Sequence, residues 1–134
     1  MAETAVQRLA LEQLSDEYFA AWADRDVDRI LSMHSDDTWF QIHAGSAPSV
    51  GRDAVRAAFE SIFTQWPRFR FESRRVLYGD AHWVLDWILI ADRPEAGEIH
   101  LDCVDVVEVS PHGKVARKDT YIDAAQLQAA LARA

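Results

Sequence analysis

Cysteine is nearly missing from this chain, since Cys103 is the only one in 134 residues. One cysteine cannot form an internal disulfide, and it excludes a zinc site built from several thiolates. The five histidines show no His-x-x-x-His or His-x-His spacing, so no local pattern indicates a metal site. The sequence therefore predicts a protein that works without a metal ion.

The glycine motifs of nucleotide-binding proteins are missing as well. The chain has only five glycines, with no Gly-x-Gly-x-x-Gly and no Walker-type phosphate loop. It also has no Gly-x-Ser-x-Gly elbow, which argues against a serine hydrolase of the common kind. We therefore expect neither a nucleotide nor any other cofactor.

Long apolar runs and an excess of positive charge are also lacking. No stretch approaches the roughly 18 apolar residues of a membrane-spanning helix, so no membrane contact is expected. The first twelve residues lack the basic-then-apolar order of a signal peptide, which makes the cytoplasm the expected location. The formal net charge is −8 and the basic residues are scattered, so nucleic-acid binding is not expected.

The spacing of apolar residues changes along the chain from a helical period to an alternating one. Residues 4–24 and 52–65 place apolar side chains three and four positions apart, which is typical of helices with one buried face. Asp26 is a plausible N-cap for a short helix at 27–34. Strands are predicted at 38–43, 69–78, 81–91, 98–109 and 114–122, and a last helix at 123–132.

This order predicts an α+β fold with one domain over residues 1–134. Because breaks of hairpin length, including one at 92–97, separate the last four strands, consecutive strands should be antiparallel neighbours. Three to four helices on one face of such a curved antiparallel sheet would leave a cone with an apolar interior. A cone of this kind is a natural pocket for an apolar small molecule.

The strand at 98–109 carries a carboxylate where apolar residues are expected. On strict alternation Leu101, Cys103, Asp105 and Val107 share one face, and Asp105 is its polar member. Burying an unpaired carboxylate costs several kcal/mol, so Asp105 must be paired, protonated or functional. The alternative is that a local bulge turns it towards water or that a lysine caps it.

Two more polar residues stand at positions that should be buried. Tyr18 lies on the apolar stripe of the first helix, and Asp86 lies within the most apolar strand. Two carboxylates and a phenol in a dry cavity could form an acid/base site. In a purely structural role Tyr18 would bond a backbone carbonyl, and Asp86 would pair with an arginine of a neighbouring strand, either Arg74, Arg75 or Arg117.

His43 ends the short strand at 38–43 and precedes a loop. It could serve as a base at the pocket mouth, because the pKa of histidine is near neutral. The alternative is a solvated surface side chain.

Six segments, taken in order, resemble the SnoaL-like branch of the nuclear transport factor 2 superfamily, which also holds ketosteroid isomerase, limonene-epoxide hydrolase and polyketide cyclases. The resemblance covers nearly the whole chain and implies an α+β barrel with a deep pocket, as a homodimer. The segments are Tyr18-Phe-Ala-Ala-Trp-Ala-Asp-Arg-Asp-Val-Asp28, Ser35-Asp-Asp37, Gly51-Arg-Asp-Ala-Val55, Val104-Asp-Val-Val-Glu-Val109, Gly113-Lys-Val115 and Tyr121-Ile-Asp123.

The resemblance assigns roles to some of these residues. Tyr18 matches the oxyanion-hole tyrosine of the isomerase, and Asp105 matches its partner, an aspartic acid kept protonated by an apolar site. The general base of the isomerase falls at or beside Ile42, so only His43 or Asp86 could move the proton here.

The epoxide hydrolase pattern is also incomplete in this chain. Its strand arginine falls at Cys103, and its last-strand aspartate falls at Thr120, with Asp119 one place away. We expect the pocket wall and its substrate contacts to include Trp22, Ile42, Phe59, Cys103 and Thr120.

Together these features predict a small cofactor-independent enzyme of the isomerase or cyclase type. Its substrate would be an apolar molecule with a carbonyl group, such as a polyketide, terpenoid or steroid. Tyr18 and Asp105 would donate hydrogen bonds to an enolate-like oxygen, and Asp86 or His43 would transfer the proton. The alternatives are a non-catalytic protein that binds a small molecule in the same pocket, or a hydrolase or dehydratase.

Overall fold

The structure is a computed structural model that describes residues 2–94 and 97–132. Within these ranges the chain forms four helices and six strands. They are α1 (Ala2–Ala23), α2 (Val27–Ser32), β1 (His34–His43), β2 (Ser49–Val50), α3 (Arg52–Gln65), β3 (Arg70–Tyr78), β4 (His82–Arg93), β5 (Gly97–Val109), β6 (Val115–Ile122) and α4 (Ala124–Ala132).

The six strands form one curved sheet in the order β2-β1-β6-β5-β4-β3. The strands β3 to β6 make the antiparallel meander that the short breaks predicted. The pair β1·β6 is parallel, which the sequence did not indicate, because the pairing joins strands that are distant in the chain. The predicted α+β fold with helices against a curved sheet is confirmed, and the sheet is mixed.

The core lies between the helices and the inner face of the sheet. On α1, Tyr18 and Trp22 are buried because they are four residues apart and therefore share one side of the helix. Phe59 of α3 is completely buried and packs edge-to-face on Trp22, with ring centroids 4.8 Å apart. Along β4 burial alternates strictly from Trp83 to Ala91, as expected for a strand with one covered face.

The region between α2 and β1 differs from the prediction. The second helix ends at Ser32 instead of residue 34, and β1 begins at His34 instead of residue 38. Pairing with β6 is the physical cause, because Val115 donates its N–H to the Met33 carbonyl at 2.7 Å and lies opposite His34 in the sheet. The loop after β1 also contains the two-residue strand β2.

The break after β4 is shorter than predicted, because β4 extends to Arg93 and β5 begins at Gly97, whereas the break before α4 follows the prediction. Residues 95 and 96 of the predicted break at 92–97 lie outside the described residues. At the start of α4 the Asp123 carboxylate accepts the backbone N–H of Gln126 at 2.9 Å, which caps the helix. The Gln126 amide also donates to the Asp102 carboxylate at 2.7 Å, so α4 is tied to β5.

Candidate functional site

A pocket of about 580 Å³, including its open mouth, lies between α1, α3 and the inner face of the sheet. Half of its lining residues are aromatic, and four polar residues interrupt an otherwise apolar wall. The lining residues are Tyr18, Phe19, Trp22, Phe40, Ile42, Ile62, Trp66, Phe69, Phe71, Leu85, Trp87, Leu89, Asp105, Lys118, Thr120 and Ile122.

The strand register brings the polar residues of the sheet together. Asp105 of β5 lies opposite Thr120 of β6, and Thr120 in turn lies opposite Ile42 of β1. Lys118 is two residues before Thr120 on the same strand, so both side chains point to the inner face. An inward Asp, Lys and Thr are therefore direct neighbours on adjacent strands.

Lys118 and Asp105 form a buried pair. Their residues are 5% and 4% exposed, and Lys118 Nζ lies 3.6 Å from Asp105 Oδ2. Thr120 Oγ1 donates to the other carboxylate oxygen, Oδ1, at 2.8 Å. Burial lowers the pKa of Lys118 below its usual range, and the Asp105 carboxylate opposes this shift. Because both Asp105 oxygens face donors, the geometry favours an accepting carboxylate over the protonated donor that the resemblance implied.

Tyr18 connects this pair to a buried histidine. The Tyr18 hydroxyl lies 3.5 Å from Lys118 Nζ and 2.9 Å from His34 Nε2. His34 Nδ1 shares a second hydrogen bond with Thr38 Oγ1 at 2.8 Å. A continuous chain of polar contacts thus runs from Asp105 through Lys118, Tyr18 and His34 to Thr38.

Burial keeps both His34 and Tyr18 uncharged at neutral pH. Burial, together with the positive charges of Lys118 and Arg52, lowers the pKa of His34 to about 3, so its ring is neutral at pH 7. Burial also raises the pKa of the Tyr18 hydroxyl above its usual range, and the Asp105 carboxylate acts in the same direction. At neutral pH Tyr18 is therefore a hydrogen-bond donor rather than a phenolate.

The structure brings most of the predicted site residues to the pocket. Tyr18, Trp22, Ile42, Asp105 and Thr120 all line it.

Two predicted wall residues lie behind the lining instead. Phe59 is buried beneath Trp22, and Cys103 is buried on the inner face of β5. Burial raises the pKa of the Cys103 thiol to about 12, with Asp105 adding to the shift, so it is not a thiolate at neutral pH.

The two predicted proton carriers are outside the pocket. Asp86 lies on the outer face of β4, because its neighbours Leu85 and Trp87 point inward. It pairs there with Arg74 at 3.0 Å and Arg75 at 3.4 Å, which is the structural alternative that the sequence left open.

His43 also faces away from the pocket. Its Nε2 lies 2.7 Å from Asp119 Oδ1, and its ring stacks on Tyr121 with centroids 4.2 Å apart. Neither His43 nor Asp86 is in contact with the Asp105–Lys118 pair, so the structure does not bring them to the polar cluster.

Lys118 and His34 are functional candidates that the sequence did not indicate. Lys118 sits in a run of charged residues, Arg117 to Asp119, that hides its inward direction. Strand alternation provides the signal, because Lys118 lies two residues before Thr120 on the same strand and therefore shares its face. His34 had no such signal, since it fitted the apolar face of the preceding helix.

A family model for the SnoaL-like domain matches residues 16–118, about three quarters of the chain. The chain belongs to the SnoaL-like family. The match includes the α1 segment with Tyr18 and strand β5 with Asp105, and it ends within β6 at Lys118. No curated protein sequence matches the chain.

Solved structures share this SnoaL-like fold at low sequence identity. SalBIII, an epoxide hydrolase/cyclase-like enzyme with a role in pyran ring formation in the polyether salinomycin, is 20% identical with a TM-score of 0.78, covering 89% of this chain and 95% of its own. TerC, co-crystallized with polyporic acid, is 17% identical with a TM-score of 0.79 (90% and 96% covered). A protein described as a SnoaL-like polyketide cyclase from Shewanella denitrificans OS-217 is 14% identical with a TM-score of 0.76 (91% and 96% covered).

Residues 2–94 and 97–132 contain no group of three His, Cys, Asp or Glu side chains placed to hold a metal ion. Among the helices in these ranges, none combines the length and apolar character that crossing a membrane requires.

Proposed function

We propose that this SnoaL-like protein is a cofactor-independent acid–base enzyme of the isomerase or cyclase type. Its substrate is an apolar, carbonyl-bearing molecule of the polyketide, terpenoid or steroid kind. The observation that carries the proposal is the buried Asp105–Lys118 pair, which faces an aromatic pocket beside the Tyr18 hydroxyl. A buried ion pair often stabilises a fold less than apolar residues of the same volume would. Its presence in a pocket therefore favours a functional role over a purely structural one.

The pair supplies both halves of a proton transfer. Lys118 and Tyr18 donate hydrogen bonds to the substrate carbonyl oxygen, and the Asp105 carboxylate removes a proton from the adjacent carbon. The negative charge that develops on the oxygen is then stabilised by two preplaced donors in a dry site, where each is worth about 3 kcal/mol. The proton returns from Asp105 to a different carbon in an isomerisation, whereas in a cyclisation the carbanion attacks a second carbonyl carbon.

This mechanism keeps two of the predicted catalytic residues and changes their roles. Asp105 becomes the base rather than a protonated donor, and Lys118 replaces it as the second oxyanion donor. Asp86 and His43 take no part, because both face away from the pocket.

The test uses exchange of carbon-bound protons with solvent. The probe is 2-tetralone, a bicyclic ketone fused to a benzene ring with acidic protons next to its carbonyl, dissolved in D₂O buffer with the protein and followed by proton NMR. The wild-type protein should accelerate loss of the proton signal, and Asp105→Asn should lower the protein-catalysed rate by about 100-fold or more because it removes the base. Asp86→Asn removes the outer carboxylate and should leave the rate unchanged.

Binding measured alongside separates the enzyme from the second candidate, a protein that only binds small molecules. Quenching of tryptophan fluorescence reports binding because Trp22, Trp66 and Trp87 line the pocket. Tight binding of 2-tetralone without accelerated exchange would favour the binding protein. Equal loss of exchange in Asp86→Asn and Asp105→Asn would return Asp86 to the mechanism.

We further propose that the protein is a homodimer through the outer face of the sheet. Val104 and Tyr121 lie opposite each other on β5 and β6 and are 37% and 45% exposed, large apolar groups on the uncovered face. Arg74 and the carboxylates of Asp86 and Asp102 flank them, so the face carries both charge signs and can complement a second copy.

Removing the apolar contact should break this dimer. Tyr121→Glu places a charge in the middle of the face and is expected to weaken dimerisation by at least tenfold, since burying an unpaired carboxylate is costly. Sedimentation equilibrium of both proteins measures the effect. A wild-type protein that stays monomeric across the accessible concentration range would contradict the proposal.

A further inference from the structure

Lys118 has an environment that few lysines share. The chain has only two lysines, and the other, Lys114, is exposed and donates to the Ser32 carbonyl at 2.9 Å. Lys118 is 5% exposed and lines the pocket, so its amine is directed at whatever the pocket binds. The two lysines therefore form a natural pair of test and control.

Aromatic rings surround the Lys118 amine. Its Nζ lies 4.1 Å from the ring centroid of Trp22, 5.0 Å from that of Tyr18 and 5.7 Å from that of Phe59. Water is largely excluded from such a site, and its dryness lowers the pKa of Lys118. A desolvated lysine in an apolar pocket is more readily available as the neutral, nucleophilic amine.

The groups that an amine nucleophile needs are beside it. Asp105 Oδ2 at 3.6 Å can accept a proton from Nζ, and the Tyr18 hydroxyl at 3.5 Å can donate to a carbonyl oxygen. The pair is neutral overall whether the proton is on Lys118 or on Asp105, so a proton transfer within it leaves no new net charge in the pocket.

We propose that Lys118 is a covalent nucleophile that forms an iminium with the carbonyl carbon of a ketone or aldehyde bound in the pocket. This inference rests on the proposed function and narrows its substrate class. The reacting group of the substrate is then a ketone or aldehyde and not an ester, acid or epoxide. The intermediate for proton removal is then an enamine on Lys118 instead of an enolate held by hydrogen bonds.

The step balances with the groups present. Lys118 transfers one proton to Asp105, and its nitrogen lone pair attacks the carbonyl carbon while the π electrons move to oxygen. The oxygen takes up the nitrogen's second proton through Tyr18, which gives a neutral carbinolamine. Asp105 then protonates the hydroxyl, the C–O bond breaks, and water leaves. The products are the iminium on Lys118, an Asp105 carboxylate 3.6 Å from the nitrogen's present position, and one water molecule.

The cation that forms is held by the same surroundings. The iminium keeps the positive charge next to the Asp105 carboxylate and over the face of Trp22, where a cation is favoured. The adjacent proton is then acidified by the iminium, and Asp105 is the nearest base to remove it.

Reductive trapping tests the proposal. The protein is incubated with 2-tetralone and sodium cyanoborohydride, which reduces an iminium to a stable amine, and is then digested and analysed by mass spectrometry. The wild-type protein should gain the mass of the ketone less one oxygen atom on Lys118, at least tenfold faster than on Lys114. Lys118→Arg keeps the positive charge but lacks the nucleophile, and should lose the adduct, whereas Lys114→Arg should keep it.

The exchange assay separates failure of this inference from failure of the proposed function. An adduct on Lys118 supports the inference whatever the exchange rate. Accelerated exchange in the wild type and in Lys118→Arg with no adduct would overturn the iminium and leave the acid–base proposal intact, with Lys118 as a hydrogen-bond donor. Equal labelling of Lys114 and Lys118 would also overturn it. Fluorescence binding of 2-tetralone by Lys118→Arg shows that this variant retains a folded pocket.

Discussion

Replacing Asp105 by leucine is expected to destabilise the protein by about 3–5 kcal/mol, which is the usual cost of leaving one partner of a buried ion pair alone. Lys118 is 5% exposed, and among residues 2–94 and 97–132 only Asp105 lies within 4 Å of it as a counter-charge. The loss of unfolding free energy in Asp105→Leu should become smaller as the pH rises from 7 to 9. Without Asp105 the folded pKa of Lys118 falls further below its unfolded value, so the folded state gains relative stability as protons become scarce.

Removing both charges should restore most of this loss. In Asp105→Leu/Lys118→Met both sites are apolar and of similar volume, and such replacements are often neutral or stabilising. Urea unfolding of the wild type, the two single variants and the double variant gives the coupling energy, expected at roughly 2–4 kcal/mol. Asp86→Asn, which breaks a partly exposed pair on the outer face, should cost only about 0–1 kcal/mol. Additive losses in the double variant would show that the two buried groups do not depend on each other.

The inward direction of Asp105 could be predicted because strand alternation is a local property. Leu101, Cys103, Asp105 and Val107 are all buried on one face of β5, as the sequence indicated. The physical reason is that side chains on a strand point to opposite faces in turn, whatever the rest of the fold does. Helical periodicity is equally local, and it placed Tyr18 and Trp22, four residues apart, on the inner side of α1.

The partners of these residues could not be predicted in the same way. Lys118 meets Asp105 only because β5 and β6 pair in one register, and a shift by one residue would turn Lys118 outward. Asp86 is the opposite case. It lies in an apolar strand, but the alternation that buries Leu85 and Trp87 on either side of it points Asp86 outward. Its apolar neighbours predicted burial, whereas its position in the alternation decides which face it takes.

His34 shows how a long-range contact changes a local prediction. Its position after Leu31 suited the last turn of a helix, but pairing with Val115 across the parallel β1·β6 contact makes it the first residue of a strand. No pattern within ten residues of His34 encodes that pairing, because its partner is 81 positions away in the chain. The same strand pairing brings the His34 ring to the Tyr18 hydroxyl. The continuous chain of polar contacts from Asp105 to Thr38 therefore depends on the fold as a whole.

Mild acid should weaken this fold through His34. Its folded pKa of about 3 lies well below the unfolded value of about 6.5, because the ring is buried and faces Lys118 and Arg52. Between these two values the unfolded chain binds more protons than the folded one. Stability is therefore complete above pH 6.5 and is lost as the pH falls towards 3. Between pH 7 and pH 5 the free energy of unfolding should fall by about 2 kcal/mol from this residue alone.

His34→Gln isolates this effect from the other titrating groups. Glutamine can still bond the Tyr18 hydroxyl and Thr38 Oγ1, but it carries no proton that titrates in this range. The variant should be less stable than the wild type at pH 7, and between pH 7 and pH 5 its free energy of unfolding should fall by about 2 kcal/mol less than that of the wild type, since the four other histidines are common to both proteins. Urea unfolding at half-unit steps of pH gives the two slopes. Parallel slopes would show that His34 takes up a proton in the folded state as readily as in the unfolded chain, and that Tyr18 and Lys118 do not hold it neutral.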